Sequence, residues 1–362
     1  MTHDPAQSLL IAPPPPPRNL LVVRLTALGD IVQSLQIIQS VARQWPGCRI
    51  TWVVRDTFAP LVEAAPFVHH VIAYRRKAGW RGLLETICLI RRERFDMVWD
   101  MHGLIRPALM TLAARSPQKW GRKNSKGLCG LSYNQFVPTP ADPPPHHAMT
   151  VHQQFLRTAG LDSTIDIPLS LKPISQTGQL ADDWKPFFNN DSKRDSGPLF
   201  VMFTDSSAAN KMWNGYEALT RLIWVNYPDS RVVWCWPQTP PPPPDAPPGR
   251  FLDLQGKCTL HQMITIVRQP SIFIGNDSGP MHLSAALGNR VLALFGPTSP
   301  KRFAPWPPGA PNTHAITSPT DNLADLSHDA VFDALQTLLQ RAPAAAEFDS
   351  NPATPSTDPL LT

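Results

Sequence analysis

The feature that most limits the fold is an alternation. Short apolar runs of strand length are followed repeatedly by stretches with apolar residues at helical spacing. "NLLVVRL" reads as a buried strand, and "GDIVQSLQIIQSVARQW" carries a helical stripe that Pro46-Gly47 stops. "RITWVV", "HHVIAY" and "FDMVWDM" repeat the strand, while "FAPLVEAAP", "WRGLLETICLIRRER" and "LIRPALMTLAAR" repeat the helix. This order predicts a parallel, doubly wound sheet. The rhythm lapses across "ADPPPHHAMTVHQQFLRTAGLDSTIDIPLSLKP" and restarts at "PLFVMFTDSS". "GYEALTRLIWVNYP", "RVVWCW", "FLDL", "LHQMITIVRQ", "SIFIGND", "MHLSAALG", "RVLALFG" and "HDAVFDALQTLLQR" then form a second α/β unit of similar size. Two Rossmann-like halves, joined near residues 140–195, leave a cleft between them. Ligands of open α/β sheets sit beyond the carboxyl ends of the strands.

The 362 residues suffice for two ordinary domains. Proline marks their limits. Pro13–Pro17 and Pro240–Pro244 are runs of extended, solvated backbone, the first a leader and the second a surface insertion. The expected organisation is a disordered leader over 1–18, a first domain over 19–160, a linker over 161–195, a second domain over 196–341 and a disordered tail over 342–362. No run approaches the ~20 apolar residues of a membrane helix, and the N-terminus lacks the pattern of a signal peptide. Five scattered cysteines without a CxxC indicate neither a disulfide framework nor a zinc knuckle, so a cytoplasmic location is expected. Residues 1–150 hold 18 Lys and Arg against 9 Asp and Glu, and residues 151–362 hold 15 against 19. The cations are densest from Arg75 to Lys126, which suggests that the first half meets something anionic.

Three stretches carry chemistry. In "SIFIGNDSGPMHLSAALG", Gly275 and Gly279 allow a sharp strand-to-helix turn, and Pro280 fits the first helical position. The N–H groups at that helix start make an anion site, to which Ser278 adds a hydroxyl. Asp277 either binds sugar hydroxyls or caps the helix, and His282 lies one turn in. In "RLTALGDIVQS" a strand again ends in a glycine turn, with Asp30 at a helix start, where the helix dipole favours the anion. The turn is not GxGxxG, and no GxxxxGK[ST] occurs. In "FTDSSAANKMWNGYEAL", Lys211 precedes a helix and can reach a phosphate in the cleft. His146, His147 and His152 match no usual metal site, and no nucleic-acid signature accompanies the aromatic residues.

Together these stretches resemble glycosyltransferase family 9, the lipopolysaccharide heptosyltransferases, over about residues 19–341. "LLVVRLTALGDIVQSLQIIQSVARQWPGCRITWVV" is similar to the family's opening, and "FIGNDSGPMHLSAALGNRVLALFGPTSPKRFAPW" to its most specific segment. The resemblance implies a GT-B fold: two Rossmann-like domains facing across a cleft, the first for acceptor and the second for nucleotide sugar. It implies inverting transfer from a nucleotide sugar, typically ADP-heptose, with no metal and no cofactor. Asp30 would be the general base, Lys211 would neutralise the donor phosphates, and Ser278 and Gly279 would hold the diphosphate. Asp277 would bind donor sugar hydroxyls, with His282 at the same site. Arg75, Arg76, Lys77, Arg122, Lys123 and Lys126 would meet an anionic lipid-linked saccharide at the cytoplasmic leaflet. Many members carry a Glu for the nucleotide ribose where this chain has Trp236, Gln238 and the proline insertion. That leaves the nucleotide open, and a GT-B sugar-nucleotide epimerase or a non-catalytic sugar-nucleotide-binding relative stands as the alternative.

Overall fold

The computed structural model describes residues 14–125, 127–141, 143–173, 179–188, 197–204, 209–235, 241 and 243–341. They form two six-stranded sheets. The strands of the first are β1 (Asn19–Val23), β2 (Arg49–Arg55), β3 (His70–Tyr74), β4 (Met97–Asp100), β5 (Gln118–Arg122) and β6 (Gln135–Val137). They are parallel, in the order β3-β2-β1-β4-β5-β6. The second sheet holds β7 (Leu199–Phe203), β8 (Arg231–Cys235), β9 (Phe251–Leu254), β10 (Ile272–Asn276), β11 (Arg290–Phe295) and β12 (Thr313–Thr317). These are also parallel, in the order β12-β11-β10-β7-β8-β9. Helices α1 (Leu28–Gln44), α2 (Ala59–Glu63), α3 (Gly79–Arg91), α4 (Ile105–Ala113) and α5 (Ala148–Thr158) belong to the first half. Helices α6 (Lys185–Phe188), α7 (Tyr216–Asn226), α8 (Leu260–Val267), α9 (Gly279–Ala286), α10 (Pro300–Phe303) and α11 (His328–Gln340) follow.

The strand sequences show why both faces of each sheet are covered. Leu20 and Val22 of β1 join Ile31, Leu35 and Ile38 of α1 in one core. Leu21 and Val23 point the other way, onto Leu83 and Ile90 of α3 and Met110 of α4. A strand buried on both faces has no polar alternation, as "NLLVV" shows. Each sheet reverses its winding once, between β1 and β4 in the first and between β7 and β10 in the second. The loops beyond those strand ends are therefore the expected ligand positions.

Three strands and three helices escaped the sequence pattern, two of the helices, α6 and α10, being only four residues long. β5, "QKWGR", has one large apolar side chain; Trp120 alone faces the core, stacked 5.9 Å from Trp99. β6 and β12 are sheet edges, with short or mixed sequences. α5 lies inside the stretch where the rhythm lapses, because its buried face includes polar His152, Gln153 and Gln154. The leader before residue 14, the tail after residue 341, Pro240, Pro242, Trp236 and Gln238 lie outside the described residues.

The halves share a seam. Met281 and Leu283 of α9 belong to the same core cluster as α1. Residues 161–172, within the expected linker, are bonded to both sides. The Leu169 amide donates to Ala286 O at 2.6 Å, the Ser170 amide to Gln39 Oε1 at 2.7 Å, and the Lys172 amide to Ala64 O at 2.7 Å. The Gln39 amide donates back to Pro168 O at 2.9 Å. Among the described residues, no helix is long and apolar enough to cross a membrane.

Candidate active site

The chain leaves β1 through Arg24 and re-enters α1 at Leu28. Asp30 sits at the third position of α1, where its Oδ2 accepts from the Ala27 amide at 3.3 Å. The same oxygen lies 2.5 Å from Nη2 of Arg24. Arg24 is 6% exposed and Asp30 42% exposed, so the carboxylate is open to solvent while its partner is not. Nη1 of Arg24 donates to the Met101 carbonyl at the end of β4. Burial would push the Asp30 carboxyl upward, but Arg24 and the Ala27 amide outweigh it and hold the group below the usual carboxylate range.

Beside this pair is a knot of buried polar groups from the ends of β4 and β5 and from α5. Asp100 is fully buried and accepts from Tyr133 Oη at 2.8 Å and from the His102 and Gly103 amides at 2.9 Å. Arg122 donates to His102 O at 3.0 Å. Burial, aided by the Arg24 charge, lowers His102 to about 4 and His152 to about 3. Four atoms here, Arg24 Nε, Arg122 Nε, His102 Nδ1 and His152 Nδ1, are buried without a hydrogen-bond partner among the described residues. Unpartnered buried polar atoms are thus concentrated around the Arg24–Asp30 pair.

The two histidines give a pH prediction. An unfolded imidazole titrates near 6.5. As pH falls below that value, the unfolded chain binds protons that folded His102 and His152 refuse. Their contribution to stability is therefore full above about pH 6.5 and is lost as pH falls toward about 4 for His102 and about 3 for His152. The raised Asp100 carboxyl acts with the opposite sign. Thermal unfolding followed from pH 7.5 to pH 5 should show Tm falling, with a shallower fall in His152→Gln. A fall in His152→Gln as steep as that of the wild type would show that His152 does not contribute to it.

The second half supplies the opposing turn. β10 ends at Asn276, and Asp277, Ser278 and Gly279 lead into α9 with Pro280 in its first turn. Asp277 Oδ2 lies 3.3 Å from Lys211 Nζ, and Asp277 Oδ1 lies 3.7 Å from His282 Nε2. Burial opposes ionisation of Asp277; His282 and Lys211 overcome it and keep the pKa low. Ser278 caps α9 through its backbone only, and its Oγ is buried without a partner among the described residues. Asn276, not singled out from the sequence, fixes Lys211: its Nδ2 donates to Lys211 O at 2.7 Å, and its Oδ1 meets Tyr216 Oη at 2.9 Å.

Two glycines let the turns touch. A Cβ on Gly29 would come within 2.7 Å of His282 Cδ2, and one on Gly279 within 2.5 Å of Leu28 Cβ. The residue beside Asp30 thus packs on the histidine that pairs with Asp277. A carboxylate held by arginine faces a helix N-terminus flanked by a lysine, across a seam with no room for a side chain. The sequence profile of glycosyltransferase family 9 (heptosyltransferase) matches residues 86–334.

The chain belongs to glycosyltransferase family 9. It is a glycosyltransferase of GT-B fold. The lipopolysaccharide core heptosyltransferase OpsX of Haemophilus influenzae is 24% identical over 308 residues, which cover 80% of this chain and 82% of that protein. A family 9 glycosyl transferase from Veillonella parvula superposes with a TM-score of 0.71 at 19% identity, covering 90% of this chain and 98% of the other. E. coli heptosyltransferase WaaC, solved with ADP-2-deoxy-2-fluoro heptose, gives a TM-score of 0.66 at 20% identity, covering 88% and 99%. Lys211, Asp277, Ser278, Gly279 and His282 fall within the family match, whereas Asp30 precedes it.

The basic cluster of this transferase does not stay together. Arg75, Arg76 and Lys77 follow the carboxyl end of β3 and are exposed; Arg75 pairs with Glu85. Lys123, also exposed, follows β5, and Arg122 turns inward to the Asp30 site. Arg91 and Arg92 lie at the far end of α3, and Lys119, at the start of β5, donates to Leu112 O at 2.7 Å. Lys126 lies outside the described residues. Of the three histidines weighed for metal, His147 caps α5 and reaches Ala304 O of the second half at 3.0 Å, while His152 joins the Asp30 cluster.

Proposed function

We propose that this glycosyltransferase moves a heptose from ADP-heptose to a lipopolysaccharide core acceptor, inverting the anomeric centre without a metal ion. The observation that carries the reading is the contact of Gly29 with His282, which sets the Asp30 turn against the anion-binding turn of α9. As the glycosidic bond breaks, charge grows on the leaving diphosphate. The N–H groups that open α9, Ser278 Oγ and the Lys211 ammonium stabilise it without an ion. Asp277, kept ionised, accepts from donor sugar hydroxyls. Asp30 takes the proton from the acceptor hydroxyl as that oxygen attacks from the opposite face, and a single displacement inverts the centre. Arg122 and the unpartnered Nε of Arg24 offer donors to an anionic acceptor. The name of the H. influenzae relative and the ligand of the WaaC structure support heptose and ADP. The acceptor, a lipid-linked saccharide, places the protein at the cytoplasmic leaflet, with the first half toward the acceptor and the second toward the donor.

Calorimetry against ADP-heptose and UDP- and GDP-sugars tests the donor, and a transfer assay with and without chelator tests the chemistry. ADP-heptose should bind in preference to the others, and transfer should require acceptor and persist in EDTA. Conversion of donor to an isomeric sugar nucleotide with no acceptor present would replace this reading with an epimerase.

A further inference from the structure

Nine of the eleven exposed large apolar side chains among the described residues lie between Trp80 and Phe136. Six of them lie on segments that follow the carboxyl ends of strands in the first sheet, spread from its β3 edge across to β5. Trp80 opens α3 and Leu84 follows one turn later, Leu104 and Ile105 open α4, and Leu128 and Leu131 sit on the 3-10 turn Gly127–Ser132. Their exposure is 72%, 60%, 45%, 57%, 73% and 77%, respectively. The three segments follow the carboxyl ends of β3, β4 and β5, α3 packs on α4, and α4 packs on the 3-10 turn. One rim of the first sheet therefore presents six unburied anchors, and it is the rim that also carries Asp30 and His102. Residues 75–84, 103–107 and 122–132 hold eight Lys and Arg. Arg75 and Arg81 pair with Glu85 and Arg122 turns inward, which leaves Arg76, Lys77, Arg106 and Lys123 as the exposed cations of this face among the described residues.

We propose that this rim docks on an anionic lipid bilayer, with these six side chains entering the interface and the cations around them meeting lipid phosphates. The chemistry favours a bilayer over a protein partner. Protein interfaces gather apolar residues in a core depleted of lysine, whereas here single Trp and Leu side chains alternate with Lys and Arg. That mixture suits the boundary between acyl chains and headgroups, where apolar burial and attraction to anionic lipid add. Tryptophan is at home at that depth. The surface stands on its own chemistry; only its use, to bring the Asp30 turn to a lipid-linked acceptor, rests on the proposed function.

Co-sedimentation with vesicles of phosphatidylcholine alone and of phosphatidylcholine with phosphatidylglycerol tests the surface without donor or acceptor. The wild-type protein should bind the anionic vesicles and keep part of that binding at 0.5 M salt, where charge attraction is screened to about 3–5 Å. Leu128→Ser/Leu131→Ser should lower vesicle partition by about tenfold or more, since each side chain leaves an apolar site. Trp80→Ala should act in the same direction. Both variants should keep wild-type transfer to a delipidated, water-soluble acceptor, which separates loss of docking from loss of the site. Wild-type binding that disappears entirely in salt, or a Leu128→Ser/Leu131→Ser variant that binds as well as wild type, overturns apolar insertion. Absence of wild-type binding to any vesicle overturns the docking surface itself. Failure of transfer with docking intact would count against the proposed function and not against the surface.

Discussion

Asp30→Asn should lower turnover by about 10²–10⁴ while donor affinity stays near that of the wild type. Asparagine keeps the shape and can still receive the Arg24 guanidinium through its carbonyl oxygen, but it cannot take a proton. The competing effect is stability, because Arg24 is 6% exposed and loses its charged partner. Two features limit that cost: Asp30 is 42% exposed, so water reaches the pair, and Arg24 keeps its bond to the Met101 carbonyl. A thermal melt of the variant separates a folded, slow enzyme from a damaged one. The low pKa of Asp30 adds a second readout. Ionised Asp30 should persist below the ordinary carboxylate range, so the acid limb of the rate profile should fall lower than a free Asp would place it. Unchanged turnover at saturating acceptor would remove Asp30 from the role of base.

Lys211→Ala should weaken donor binding by about 1.5–3 kcal/mol, the range for a hydrogen bond to a charged group. That is roughly ten- to 150-fold in Kd. The lower part of the range is expected, because Lys211 already pairs with Asp277 at 3.3 Å and the donor must share it. His282→Ala should shift Kd the same way. Since Asn276 and Tyr216 hold the backbone of Lys211 in place, Asn276→Ala should reproduce part of the loss without touching the ammonium. Titration calorimetry with ADP or ADP-heptose measures all three. If Lys211→Ala altered only acceptor affinity, the donor and acceptor halves would be assigned the wrong way round.

Much of this arrangement was legible because it is local. A strand, a glycine turn and a helix start sit within a dozen residues of one another, so the Asp30 and Asp277–His282 turns announce themselves in the chain. Arg24 does not, although it lies six residues before Asp30 in the same quoted stretch. It reads as the polar end of a strand, and its burial depends on Met101, 77 residues away. The Asp100–Tyr133 bond spans 33 residues and leaves no mark on either neighbourhood. His152 drew attention beside His146 and His147 as a candidate ligand, yet its surroundings come from Arg24 and Asp30. Trp213, next to Lys211 in a polar stretch, is core: its indole donates to Leu326 O at 2.7 Å. The basic stretch was legible as composition but not as a surface, because its residues fall at both ends of the strands.

The segment 161–172 bears on how such an enzyme can be recombined. It hangs from Gln39 in α1, from Ala64 after α2 and from Ala286 at the end of α9. A chimera cut in the middle of the expected linker would join the second half of one relative to an α1 that was never fitted to its α9. The Leu28–Gly279 and Gly29–His282 contacts leave no slack to absorb that mismatch. Exchanging the second half between relatives therefore calls for transplanting α1 and residues 161–172 together with the second sheet, so the unit of exchange is larger than either half.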